Sequence, residues 1–192
     1  MKENIPTLAL LFAASTMFLT SCGGGGGESA GKKKSAIPFA QAKAGSTPSL
    51  RAARFKKLLK SHPKQNRPEM QEDPRLSKAA RARARDMATR AYFSHTDPDG
   101  NGPHVYVKRA GYRLPNSYQS GRKANYVESI LGGSGTAANA LEQWMSSSAH
   151  KKHLLAESGF YKKQTRYGVG QVTVPGSPML HYWVFISAPP ES

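Results

Sequence analysis

Residues 136–155 read TAANALEQWMSSSAHKKHLL, and the spacing of the apolar residues in their first half decides what kind of fold is possible. Ala137, Ala140, Leu141, Trp144 and Met145 fall at i, i+3, i+4, i+7 and i+8, a single stripe on a 3.6-residue helix. Thr136 stands directly before them as a hydroxyl N-cap. A helix with one apolar stripe must lay it on another layer of structure. Trp144 offers the largest buriable area in that stripe, so it is expected to anchor the core. The helix then runs into Ser146-Ser147-Ser148, which places His150 at a helix exit.

Working outward, a second amphipathic stretch lies upstream. Asp73 can cap it, Pro74 suits its first turn, and Leu76, Ala79, Ala80, Ala84, Met87, Ala88 and Ala91 keep helical spacing, with Lys78, Arg81 and Arg85 on the opposite face. Its alanine-rich face implies close approach to whatever it packs on. Residues 49–60 form a short basic helix with Leu50, Ala53, Leu58 and Leu59 near one face, stopped by His62-Pro63. After the second helix, residues 92–103 read YFSHTDPDGNGP: His95 follows the helix, and turn residues then reverse the chain. Taken alone, His95 is either a solvated loop histidine or one member of a site. A short helix over 104–111, with Val105, Val107 and Ala110 toward the core, precedes a polar loop at 112–125.

Glu128 interrupts the apolar segment 125–131, and a carboxylate there either faces water at an edge or is paired, because burying it alone costs several kcal/mol. At the end, 167–174 and 180–187 are rich in Val, Tyr, Trp, Phe and Ile and are split by Pro175-Gly176-Ser177-Pro178, a β-hairpin pattern. Helices, a loop-rich middle and a terminal hairpin give an α+β fold with helices packed on an antiparallel sheet.

The N-terminus carries different information. An apolar run from Leu8 to Leu19 follows Lys2 and is too short to cross a bilayer, so residues 1–21 read as a secretory signal peptide. Leu19-Thr20-Ser21-Cys22 resembles a bacterial lipobox, which makes Cys22, the single cysteine, the lipidation site. The alternative is an ordinary secreted chain with a free thiol. Residues 22–48, glycine-rich and then Lys- and Ser-bearing, read as an acylated cysteine and flexible tether, leaving 49–192 as one globular domain. The residue after Cys22 is Gly23 rather than an aspartate, which in a diderm source fits outer-membrane sorting.

The 28 Lys plus Arg against 12 Asp plus Glu give a net charge of +16. Nucleic acid is not the expected partner, since the chain is exported and carries no nucleic-acid-binding signature. Anionic lipid or an anionic envelope polymer suits the compartment, with a plainly solvated surface as the alternative.

The order of these pieces resembles the CAP superfamily (cysteine-rich secretory, antigen 5 and pathogenesis-related proteins), in its cysteine-poor bacterial branch. The resemblance rests on Asp73-Pro74-Arg75-Leu76 with its helix, Phe93-Ser94-His95-Thr96-Asp97-Pro98-Asp99-Gly100, Ala110-Gly111-Tyr112, residues 144–150 with Leu154-Leu155, Gly168-Val169-Gly170 and Tyr182-Trp183-Val184-Phe185. It implies a three-layer α-β-α sandwich with helices on a central antiparallel sheet. It also implies a cleft in which His95, His150 and Glu128 hold a divalent cation such as Zn²⁺, with Ser94 and Ser147 lining it. The family's Gly-Glu-Asn segment is Val127-Glu128-Ser129 here, and its second cleft glutamate falls near Ser147. Glu142 points to another helix face and does not replace it. Three protein ligands make a weak, solvent-capped metal site the expectation.

Two functions follow. One is an envelope-anchored protein binding an apolar or cell-envelope ligand in the His/Glu cleft. The other is a metal-dependent hydrolase of peptide or peptidoglycan. A serine hydrolase is disfavoured, because neither Ser94 nor Ser147 has an oriented base in the sequence pattern.

Overall fold

The computed structural model describes residues 50–118, 121 and 124–191; the signal segment, the tether and Cys22 lie outside the described residues. In chain order the elements are α1 (Leu50–Lys60), β1 (Gln71–Glu72), α2 (Pro74–Thr89), α3 (Pro103–Arg109), a 3₁₀ turn (Asn116–Tyr118), β2 (Glu128–Gly132), α4 (Ala137–Ser146), α5 (Ser148–Leu154), α6 (Gly159–Lys162), β3 (Arg166–Thr173) and β4 (His181–Ala188).

The strands form one sheet in the order β1-β3-β4-β2. Its centre, β4, is buried on both faces. Tyr182, Val184, Ile186 and Ala188 enter one core with α2 and α3, while Trp183 and Phe185 enter a second with α1, α4 and α5. Alternation along a single strand thus separates two helical layers, and the α+β three-layer sandwich follows. In the second layer Trp144 is fully buried, edge-on to Phe55 at 4.9 Å, with its indole N–H on the Ile130 carbonyl at 3.2 Å.

The first layer sits unusually close. A Cβ added at Gly168 would meet the Ser77 amide nitrogen at 2.1 Å, and one at Gly170 the Ala80 carbonyl carbon at 2.3 Å. Helix α2 therefore rests on the bare backbone of β3, which is what its alanine face and the Gly-Val-Gly of β3 permit. Asp73 caps α2, accepting the Arg75 N–H at 2.8 Å.

Three expectations need correction. The sheet is mixed rather than antiparallel: β2, β3 and β4 pair antiparallel, but β1 pairs parallel with β3 through Gln71↔Arg166 and Glu72↔Tyr167. Two residues are too few to show a strand period, so the sequence carries no sign of β1. The buried face of α1 is Ala52, Phe55 and Leu59, and Leu50 and Ala53 are exposed; Phe55 fills the space beside Trp144 and Trp183 and sets the rotation. Ala91 lies beyond α2 at φ +54°, exposed, because the helix has already ended at Thr89.

Candidate functional site

Glu128 opens β2 on the edge of the sheet, and its side chain is fully buried. The entry is held by Asn125, whose side-chain oxygen accepts the N–H groups of Val127 (3.3 Å) and Glu128 (2.9 Å) and whose amide donates to the Glu128 carbonyl (3.0 Å). The cation that burial demands is Arg83, also with a fully buried side chain. Its Nε donates to Glu128 Oε2 at 2.9 Å and its Nη2 to Oε1 at 3.3 Å. Nη1 donates to the Tyr92 hydroxyl and Nη2 to the Ser94 carbonyl, each at 2.7 Å, and the guanidinium lies 4.8 Å from the centre of the Tyr106 ring. Burial alone would lower the Arg83 pKa; the Glu128 charge and hydrogen bonds outweigh it and raise it.

His95 completes this group. Its Nδ1 lies 3.0 Å from Glu128 Oε1, and since a carboxylate can only accept, Nδ1 carries the proton. The side chain remains 39% exposed. The turn beyond it is closed on Asp97, which accepts from Asp99 N (3.0 Å), Asn101 N (2.7 Å), Asn101 Nδ2 (3.0 Å) and the Tyr106 hydroxyl (2.8 Å). Burial would push the Asp97 carboxyl up, but these donors hold it down at about 2.

His150 comes from the opposite layer. Ser147 ends α4 and caps α5 at once, its hydroxyl accepting the His150 N–H at 3.5 Å, so His150 stands in the first turn of a new helix rather than at an exit. Its pKa is lowered by burial and then by the nearby charge of His95. A concavity of about 140 Å³ is lined by His95, Glu128, His150, Ser129, His153 and Tyr161 among others. Ser94 and Ser147 are absent from that lining: Ser94 is exposed with its hydroxyl on the Thr96 N–H, and Ser147 is spent on capping. Ser129 is the serine at the concavity.

The zinc expectation for His95, His150 and Glu128 does not fit this arrangement. Among the described residues no three His, Cys, Asp or Glu side chains are grouped to hold a metal ion. Both Glu128 oxygens are already engaged by Arg83 and His95, and a cation there would face a buried guanidinium.

Behind the concavity lies a second buried chain that sequence reasoning missed. His153 is fully buried, with Nδ1 at 2.8 Å from Ser129 Oγ and Nε2 at 2.8 Å from Ser187 Oγ. Its tautomer follows from Gln164. The Gln164 amide donates to the Tyr126 carbonyl at 2.8 Å, so its oxygen faces Ser187, whose hydroxyl must donate to it at 2.6 Å. Ser187 Oγ then accepts from His153 Nε2–H and from Arg67 Nη2 at 3.1 Å, which leaves Nδ1 bare to accept the Ser129 proton. Both ring nitrogens of His153 meet serine hydroxyls, and burial, with Arg67 adding to it, drives its pKa well below the ordinary value. Such a histidine cannot readily take up the proton of a nucleophile. The Ser129–His153–Ser187 chain satisfies polar groups that burial would otherwise leave unpaired.

With this geometry in place, comparison with known sequences is decisive. The sequence model of the cysteine-rich secretory protein family, CAP, matches residues 49–186. The chain belongs to the CAP family. Over 131 residues this CAP domain is 32% identical to the uncharacterized Bacillus subtilis protein YkwD, a match that takes in 66% of the chain and 46% of YkwD. The chain thus spans less than half the length of that relative. Two solved structures share the CAP fold at low identity. An outer surface protein of Borrelia burgdorferi is 15% identical with a TM-score of 0.53, covering 72% of this chain and 91% of its own. An extracellular, SCP-domain-containing protein of Bacillus anthracis is 20% identical with a TM-score of 0.56, covering 73% and 40%.

Proposed function

We propose that this CAP domain is the ligand-binding part of an exported lipoprotein, and that its ligand is a cell-envelope component received in the His95–Glu128–His150 concavity. The observation that carries the reading is the convergence of two histidines from opposite helical layers on a buried carboxylate already neutralised by Arg83. Such a centre is pre-organised and polar yet holds no uncompensated charge, which suits recognition. Catalysis has less support. Glu128 is the one carboxylate lining the concavity among the described residues, so the carboxylate pair of a glycosidase is lacking. The donor set does not suit a metal-dependent hydrolase, and His153 is a poor base. Export is supported by the signal-like residues 1–21 and the lipobox at Cys22, and by the surface and extracellular origins of the two structural neighbours.

The test is equilibrium binding of separated lipid and glycan fractions of a bacterial envelope to the purified protein and to His95→Ala and His150→Ala. Affinity for one fraction falls at least about tenfold in both variants. Undiminished binding in both would move the site elsewhere.

A further inference from the structure

Large aromatic residues are exposed beside the concavity. Tyr126 and Phe160 are 38% and 42% accessible. Phe160 stacks on the mostly buried Tyr118 at 5.1 Å and 17°, Tyr126 stands edge-on to both, and Phe160 contacts Tyr161 at 5.2 Å. Tyr161 in turn lines the concavity and packs on His153 at 4.6 Å. An aromatic surface therefore continues directly into a polar hollow. The two rings lean on one another and on the mostly buried Tyr118, and each keeps part of its surface accessible.

The polar groups of the hollow have a definite sense. Glu128 can only accept, the Ser129 proton is given to His153, and the His95 Nδ1 proton is given to Glu128, which leaves Nε2 as the His95 ring nitrogen that Glu128 does not engage. His150 and Tyr161 add a ring N–H and a hydroxyl to the same lining, so a ligand entering here meets acceptors and donors together, and hydroxyl groups, which both donate and accept, match that mixture. The faces of a pyranose ring carry C–H bonds, weakly positive, which match the negative faces of aromatic rings. The same stretch supplies cations: Lys152 on α5, Lys162 at the end of α6 and the following Lys163 are exposed, against exposed Glu157 between the helices.

We propose that this surface binds an acidic polysaccharide strand: sugar faces stacked on Tyr126 and Phe160, a hydroxyl-bearing residue in the concavity, and carboxylates toward Lys152, Lys162 and Lys163. This rests on the ligand-binding reading above and names its ligand class.

The experiment is calorimetric titration of the purified full-length protein with a hyaluronan hexasaccharide, in parallel with a neutral N-acetylglucosamine tetramer and with phosphatidylglycerol vesicles. Wild type binds the acidic hexasaccharide more tightly than the neutral tetramer. Phe160→Leu, which keeps apolar volume but removes the ring, and Tyr126→Ala each weaken hexasaccharide binding about tenfold. Lys162→Ala/Lys163→Ala weakens it and reduces its salt dependence. Melting temperature is recorded for every variant, and Phe160→Leu decides the matter if Tyr126→Ala is unstable. The proposal is overturned by absence of saturable sugar binding, by Phe160→Leu binding like wild type, by equal affinity for the neutral tetramer, or by vesicle binding that alone responds to these substitutions. His95→Ala and His150→Ala separate the two readings. Sugar binding lost in Phe160→Leu but kept in the histidine variants overturns the concavity reading and leaves the aromatic surface; sugar binding kept in Phe160→Leu but lost in the histidine variants overturns the aromatic surface and leaves the concavity.

Discussion

Glu128→Gln isolates the central ion pair. The substitution keeps shape and one acceptor oxygen but leaves the Arg83 guanidinium charged and fully buried. Its remaining support would be the Tyr92 hydroxyl, the Ser94 carbonyl and the Tyr106 ring. Removing one partner of a buried pair costs about 3–5 kcal/mol, and the surviving amide oxygen places this case near about 3. For a domain of this size that lowers Tm by about 10 °C. With a urea m-value of about 2 kcal/mol/M, the unfolding midpoint falls by about 1.5 M with m unchanged. The paired variant Arg83→Met/Glu128→Gln removes the orphaned cation and recovers at least half of the loss, because Met fills much of the space without a charge. A single variant within about 1 kcal/mol of wild type, or a double variant no more stable than the single, would refute the claim that Arg83 and Glu128 compensate each other.

Other outcomes can be checked with simple measurements. His153 is held neutral in the fold, with a pKa below its unfolded value of about 6.5, so the unfolded chain binds a proton that the native state refuses as pH drops below about 6.5. Stability is full above that pH and falls below it by up to about 1.4 kcal/mol per pH unit. Urea midpoints at pH 7.5, 6.5 and 5.5 follow this course, and His153→Gln flattens the slope; an unchanged slope in that variant would assign the loss to other groups, such as His150 and His181, whose pKa values burial also lowers. Gly170→Ala drives a Cβ to 2.3–2.4 Å from the backbone of Ala80 and Arg81 and costs more than the about 1–3 kcal/mol of ordinary overpacking. Gly159→Ala meets nothing within 4 Å and stays within about 0.5 kcal/mol, so equal melting curves for the two would count against the close seating of α2. Cys22→Ala releases the protein from the membrane fraction after a high-salt wash that removes attraction through the +16 charge, and retention of the variant would sink the lipobox reading.

Long amphipathic segments were legible because burial enforces their period. The stripe ending at Trp144, the alanine face of α2 and the terminal hairpin all stand where spacing puts them, within a residue or two at the ends. Glu128 was legible as a carboxylate in need of a partner, but Arg83 was overlooked. The sign was there: Arg83 falls at helical spacing between Ala79 and Met87, on the face that carries the core. An arginine in an apolar stripe points to a buried counter-ion, and attention to the small apolar residues of that stripe passed over it. His153 was hidden differently, between two lysines and two leucines, where neither period nor charge marks it. The partners that fix its tautomer, Ser129, Ser187 and Gln164, lie 24, 34 and 11 residues away. The two-residue β1 rests on two backbone hydrogen bonds, Gln71 N–H to the Thr165 carbonyl and Asp73 N–H to the Tyr167 carbonyl, and the double duty of Ser147 on its hydroxyl, and no sequence pattern records either.

Because no side chains lie between α2 and β3 at Gly168 and Gly170, the helix has no deformable cushion against the sheet. Packed layers ordinarily slide or tilt by changing rotamers, and at these two contacts there are none to change. Arg83 lies less than one turn beyond Ala80, on the part of the helix seated on that strand. The wall of the concavity that holds Glu128 is thus mechanically part of the sheet. Adaptation to a ligand falls on the loop of residues 90–102 that carries His95 and on the side chain of His150. The close seating of α2 makes this side of the domain a stiff anvil, and a ligand of the proposed site would be sorted by its fit to that side.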